Sequence, residues 1–268
     1  SAACINLAFD RDFDQVVMPV VVRTETHSES GTILGIVCAL DGKSKCGAEL
    51  GAHADLGAGH SRMLASRRMD RTAPPPVQRE ATRAAYGRAL EALGHQRADL
   101  VVLDADLSGS TKTRIFAKSF PDRFFNIGVA EMNMAGYSAG LALSGKLVFC
   151  SSFAMFAAGK AWEPIRQSIA ITKANVKIVA SHAGLTVGED GASHQMLEDI
   201  ALMRVLPNMR VIVPADSLQT EAAVAAIAEV DGPCYMRVSR AATPIMEGLP
   251  PFELGRADVV RDGKDLAL

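Results

Sequence analysis

Three short segments hold residue types that could do chemistry. The first is Phe125-Asn126-Ile127-Gly128-Val129-Ala130-Glu131, where a carboxylate follows a strand-like stretch and a glycine and opens an apolar helix. A helix-start acid favoured by the macrodipole is the plain alternative. The second is Phe153-Ala154-Met155-Phe156, with two aromatics three apart on one side of a helical turn. Such a pair either packs a core or offers a flat apolar wall to a ring. The third is His182-Ala183-Gly184-Leu185-Thr186-Val187-Gly188-Glu189-Asp190-Gly191-Ala192-Ser193-His194. Histidines and acids in a long polar loop can move protons or hold ligands. The spacing of His182 and His194 does not match a helical zinc pair, so no metal ligands are assigned. A glycine-rich surface loop with solvated histidines is the structural alternative.

These segments need a scaffold, and the rest of the chain supplies one. Apolar residues recur at helical spacing over Ala84–Leu93, Met132–Leu143, Ala161–Ile171 and Leu218–Ala228. Short apolar runs between them, Leu100–Leu103, Leu147–Cys150, Val176–Ala180, Val211–Val213 and Cys234–Val238, read as buried strands. Strands alternating with helices predict an α/β fold, a mostly parallel sheet with helices on both faces. Ligands gather at the carboxyl ends of such strands. Asp104 and Asp106, Phe153 and Phe156, and His182 all fall at those ends.

The formal net charge of −2 gives no case for nucleic acid or an anionic membrane surface. No apolar run is long enough to span a bilayer, and the charged N-terminus is unlike a secretory signal. Five cysteines, Cys4, Cys38, Cys46, Cys150 and Cys234, include no CxxC pair, so a reducing cytoplasm is expected. Residues 1–77 read as an extension of unknown role, in which 16–22 and 33–40 allow strands and 42–71 is aperiodic. His53 and His60 there lack nearby partners for a metal. Pro74-Pro75-Pro76 closes this part. Residues 78–245 form the expected domain. After Pro250-Pro251, Arg256–Val260 and Asp265–Leu268 read as two strands around Asp262-Gly263, so 252–268 read as the beginning of a truncated C-terminal domain.

From about Gln78 to Arg240 the chain resembles the transketolase family. The motifs stand in the family's order: Ala81-Thr82-Arg83, Asp104-Ala105-Asp106-Leu107, Phe125–Glu131, Phe153–Phe156, Gly188–Gln195 and Ser239-Arg240. The match is similar to the C-terminal subunit of split transketolases, the pyrimidine-binding chain of a divided enzyme. The resemblance implies thiamine diphosphate as cofactor. Glu131 would meet N1′ of its aminopyrimidine and share a proton there, a task that suits a buried carboxyl group. Phe153 and Phe156 would stack on that ring, and Asp106 would lie near it. The family often has another aromatic three positions after the second; here that place is Gly159. Arg83, Ser110, His182 and Arg240 match positions that bind a substrate phosphate, and Arg suits phosphate through planar paired donors. Taken singly, they also read as a helix-start Arg, a turn Ser and a strand-end Arg. Asp190 matches a contact to a sugar hydroxyl. His194 would lie at the reacting carbons, and both histidines are candidate catalytic residues.

The implied activity is transfer of a two-carbon ketol unit between sugar phosphates, within pentose phosphate metabolism. The diphosphate half of the site uses a Gly-Asp-Gly motif followed by an Asn in this family. Here Leu40 precedes Asp41-Gly42 and no suitable Asn follows. A divalent metal, magnesium or calcium, is therefore expected mainly on a partner, a diphosphate-binding subunit, in a homodimer or heterotetramer. The chain alone would be inactive. Two other readings stay open: another thiamine-dependent enzyme, of the 1-deoxyxylulose-5-phosphate synthase or 2-oxo acid dehydrogenase β type, and a non-catalytic module of the same fold.

Overall fold

The computed structural model describes residues 77–259 and the backbone of two short strands near the N-terminus. Those strands, β1 (Ala2–Ile5) and β2 (Val20–Arg23), pair antiparallel. The latter overlaps the apolar run at 16–22. The sequence readings for the rest of residues 1–76 and for 260–268 lie outside the described residues.

The described chain then runs β3 (Arg79–Ala81), α1 (Thr82–Gln96), β4 (Leu100–Asp104), α2 (Ser108–Thr111), α3 (Arg114–Ser119), β5 (Phe124–Asn126) and α4 (Glu131–Leu143). It continues through β6 (Leu147–Phe153), α5 (Trp162–Pro164), β7 (Val176–Ser181), α6 (Asp199–Arg204), β8 (Arg210–Ile212), α7 (Ser217–Ala228), β9 (Cys234–Arg237) and β10 (Ala242–Pro244). Six strands form one sheet in the order β5-β4-β6-β7-β9-β8, and every pairing in it is parallel.

Both faces of that sheet are covered, which explains the unbroken apolar strands. Alternate residues point to opposite faces. Val101, Leu103, Val148, Cys150, Ile178 and Tyr235 pack with Met134 and Ala139 of α4 and with Ile165 and Ile169. Val102, Phe149, Val179 and Met236 pack on the other side with Tyr86 and Leu90 of α1, Phe116 of α3 and Val224 and Ile227 of α7. The parallel sheet with helices on both faces expected from the sequence is thus present.

The strand order reverses between β4 and β6. From β4 the chain moves outward to β5, then crosses back to β6 on the other flank. The crevice beyond the carboxyl ends at such a reversal is where open α/β sheets hold ligands. A second closure brings distant segments together. β10 pairs antiparallel with β3, and the Ser239 amide donates to Thr82 Oγ1 at 2.7 Å. Arg83 on α1 and Arg240 after β9 therefore stand side by side although far apart in sequence.

Two expectations need correction. The helix expected at Ala161–Ile171 is present as a single turn, α5, flanked by π-helical segments Met155–Lys160 and Ile165–Ala170. The amides of Ala161 and Ile171 donate five residues back, to Phe156 and Arg166, and Pro164 has no amide hydrogen to give. The strand expected from Arg256 is not formed over residues 256–259. Arg256 pairs with Glu253, and Asp258 accepts from Gln219 of α7 at 3.2 Å, so these side chains are tied to α7 and its neighbouring loop.

Candidate active site

Glu131 is the first residue of α4 and only 2% exposed. Its loop is shaped upstream. Asn126 Oδ1 accepts from the Gly128 amide at 2.9 Å, and Asn126 Nδ2 donates to Asp106 at 2.8 Å. Buried in this way, the carboxyl has a charged partner, Lys160, whose Nζ donates to Oε2 at 2.7 Å. Lys160 ends the π-helical segment that also carries Phe156. The acid and the aromatic wall are thus joined through one side chain.

Phe153, the last residue of β6, is buried, and Phe156 is half-buried. Their rings are nearly parallel, 16° apart, with centroids separated by 6.2 Å. Two histidines extend the layer, whereas the space beside Gly159 is met by Met155 and Met196. His182 stacks on Phe153 at 3.8 Å, and His194 stands edge-on to Phe156 at 5.2 Å. An apolar ring face and a buried carboxyl, linked through Lys160, are the two groups that a planar nitrogen heterocycle needs: stacking on its face and a hydrogen-bonding acid at its edge.

His182 follows β7 in a left-handed conformation, φ 61°. Backbone of this kind in a non-glycine residue concentrates at functional sites. Its Nε2 lies 3.3 Å from Arg83 Nη1, and its Nδ1 lies 2.8 Å from Ser181 Oγ. Arginine can only donate, so Nε2 accepts and Nδ1 carries the proton. Burial, then Arg83 and Arg240, push the His182 pKa down to about 4. The imidazole is neutral at neutral pH and keeps its place between ring and guanidinium.

Arg83 also donates to the Ser110 carbonyl at 2.9 Å. Its Nε is buried without a hydrogen-bond partner among the described residues, an orphaned donor suited to an anion. Arg240 meets Glu189 at 2.6 Å, Asp190 at 3.7 Å and the Val187 carbonyl. Gly188 makes this approach possible. Its φ is +84°, and a Cβ there would stand 3.2 Å from Arg240 Nη1. The loop itself is pinned from below, because the Met196 carbonyl accepts from Gly184 N at 2.8 Å and from Arg237 at 3.2 Å.

The structure therefore gathers Phe153, Phe156, His182, His194, Arg83, Ser110, Asp190 and Arg240, with Glu131 joined through Lys160. Asp106 stands apart. It is exposed, left-handed at φ 63°, and engaged with Asn126. Asp104 is fully buried and turns inward. It accepts from Leu107 N at 2.6 Å, Thr111 Oγ1 at 2.7 Å and Thr113 Oγ1 at 2.8 Å, and burial raises its pKa. It shapes the loop that carries Ser110. Lys160 and Glu189 were not assigned from the sequence. Glu189 was visible beside Asp190, whereas the contact of Lys160 depends on the wide helical turn. Among the described residues no group of three or more His, Cys, Asp or Glu is arranged around a metal, and no helix is long and apolar enough to cross a membrane.

Residues 78–246 match the family described as transketolase, pyrimidine binding domain. This chain belongs to that family. It is 58% identical over 189 residues to a Methanocaldococcus jannaschii protein named as a transketolase C-terminal section, covering 69% of this chain and 60% of that protein. Human transketolase is 41% identical over 187 residues, covering 69% of this chain but 30% of the human enzyme. Among solved structures, one described as a split gene transketolase, inactive beta4 tetramer, superposes with a TM-score of 0.60 at 56% identity, covering 69% of this chain and 60% of that one. Transketolase from Leishmania mexicana matches with a TM-score of 0.60 at 32% identity, covering 65% of this chain and 27% of that one. The chain thus spans about three-fifths of the first two split-type relatives and under a third of the undivided enzymes.

Proposed function

We propose that this chain is the pyrimidine-binding subunit of a thiamine diphosphate-dependent transketolase. The observation that carries the reading is the buried Glu131 carboxyl, joined through Lys160 to the helical segment that carries Phe156. When bound, thiamine diphosphate supplies stabilisation of a two-carbon carbanion equivalent. The chain's own residues do the rest. Glu131 exchanges a proton with N1′ of the pyrimidine, and Phe156 offers its ring to one face. Asp106, held by Asn126 outside this group of residues, is assigned a place near the cofactor by the family resemblance alone.

The substrate half follows from the charges. Arg83 and Arg240 take a phosphate, with the Arg83 Nε donor ready for an oxygen. His182, neutral and fixed, presents a hydrogen-bonding edge, and Asp190 accepts from a sugar hydroxyl. His194 moves a proton at the reacting carbons or steadies a developing oxyanion. In the reaction a ketose phosphate breaks between C2 and C3 and releases an aldose. The two-carbon ketol unit then forms a new bond to a second aldose phosphate.

Partner dependence follows from what these residues can bind. They serve a ring and a sugar phosphate, not a diphosphate with a divalent metal, magnesium or calcium. We place those on a diphosphate-binding subunit, in a homodimeric or heterotetrameric assembly in the cytoplasm. Val129, Met132, Tyr137 and Leu143 leave an apolar stretch exposed along α4 and its entry, the kind of surface that partners cover. The inactive tetramer of the similar split protein supports the same view. The test is ketol transfer from a ketose phosphate to an aldose phosphate, with each subunit alone and with both. Turnover is expected only from the mixture. Turnover by this chain alone would contradict the reading, and decarboxylation of pyruvate in its place would favour another thiamine enzyme.

A further inference from the structure

The Glu131–Lys160 ion pair is divided unequally between protein and solvent. The two side chains meet at 2.7 Å, yet 47% of Lys160 is exposed against 2% of Glu131. The anion is locked in place, and the cation is free to leave. Lysine suits departure, because its ammonium rides on a flexible four-carbon stem and is readily rehydrated. Its position is also unusual. Lys160 closes the π-helical segment Met155–Lys160, and the Ala161 amide donates five residues back to Phe156. Wide turns of this kind gather at functional sites. Here the extra residue swings Lys160 onto the acid from the segment that also presents Phe156.

A buried carboxylate without a partner is costly. Lys160 occupies one oxygen of that carboxyl, Oε2, and a ring nitrogen that meets the carboxyl competes with it. We propose that Lys160 is a displaceable counter-ion for Glu131. It holds Oε2 in the free chain and gives it up to the aminopyrimidine nitrogen, moving outward into solvent as the ring seats against Phe156. The inference rests on the reading of Glu131 as the carboxyl that meets the pyrimidine. Lys160 is then a positioning residue. It keeps the carboxyl in its bound orientation before loading, and loading must break its ion pair.

The consequence runs against the usual expectation for a charged site residue: removing Lys160 should improve cofactor binding. Thiamine diphosphate affinity would be measured calorimetrically for the full chain with its diphosphate-binding partner, as wild type, Lys160→Met and Lys160→Arg. Loss of one charge-assisted contact predicts that Lys160→Met binds about tenfold more tightly. Lys160→Arg, which keeps the ion pair, should stay close to wild type. Equal or weaker binding by Lys160→Met would overturn the proposal while leaving the role of Glu131 standing. Failure of the wild-type complex to bind thiamine diphosphate would remove both. An independent readout uses the wild-type complex alone. Acetylation of Lys160 by a water-soluble anhydride, followed by mass spectrometry, should rise when thiamine diphosphate is added. Labelling that stays level or falls would show that the lysine does not leave, and would overturn the proposal.

Discussion

His182 gives the site a pH signature. Its folded pKa, pushed down to about 4, lies below the ordinary value of 6.5. Between those values the unfolded chain takes up a proton that the folded chain refuses. Stability from this group is therefore complete above pH 6.5 and lost as pH falls toward 4. His182→Asn should flatten that part of the curve. As pH is lowered from 7 to 4.5, urea midpoints should fall more steeply in wild type than in the variant, and parallel curves would count against a neutral His182. At this scale much of the site is legible in the sequence. Phe153, Phe156 and His182 stand at strand ends, and with Glu131 and His194 they follow a recognisable order. Lys160 was not legible. It stands just before the helix expected at Ala161–Ile171, and its contact with Glu131 comes from the π-helical segment that it ends.

The elements that hold these residues depend on close approaches. Gly87 of α1 is one. A Cβ there would lie 2.7 Å from Lys112 Cβ and 2.9 Å from the Lys112 carbonyl. Lys112 is itself left-handed at φ 74°, so the backbone has little room to yield. Alanine would gain up to about 1 kcal/mol in helix propensity, but overpacking of this kind costs about 1–3 kcal/mol. Gly87→Ala should thus destabilise the chain by about 1 kcal/mol on urea unfolding. It should also raise KM for a phosphorylated substrate, because the displaced loop carries Ser110 against Arg83. Unchanged stability would show that the loop moves freely. The central strands were legible because they are buried on both faces and read as apolar runs. The helices α2, α3 and α6 have only four to six residues, too few for a period to declare itself. Strands β3 and β10 are held by their pairing and by Thr82–Ser239 contacts, which local composition does not reveal.

At the scale of the molecule, alternating strands and helices announced a parallel sheet, but not its order. The reversal between β4 and β6 arises from crossovers and pairing; Glu131 opens the helix that returns from β5 to β6, Phe153 ends β6, and His182 follows β7 and stacks on Phe153. On the proposed reading, the stacked rings, the acid and the two arginines serve a heterocycle and a sugar phosphate. A second polypeptide is assigned the diphosphate. The most direct measurement is turnover and thiamine diphosphate binding by the two-subunit complex with Glu131→Gln in place of wild type. The substitution keeps the size of the side chain and removes its exchangeable proton. Ketol transfer should fall by about 10²–10⁴-fold, the usual worth of a positioned acid or base, while the cofactor remains bound. Wild-type turnover in that variant would contradict the account.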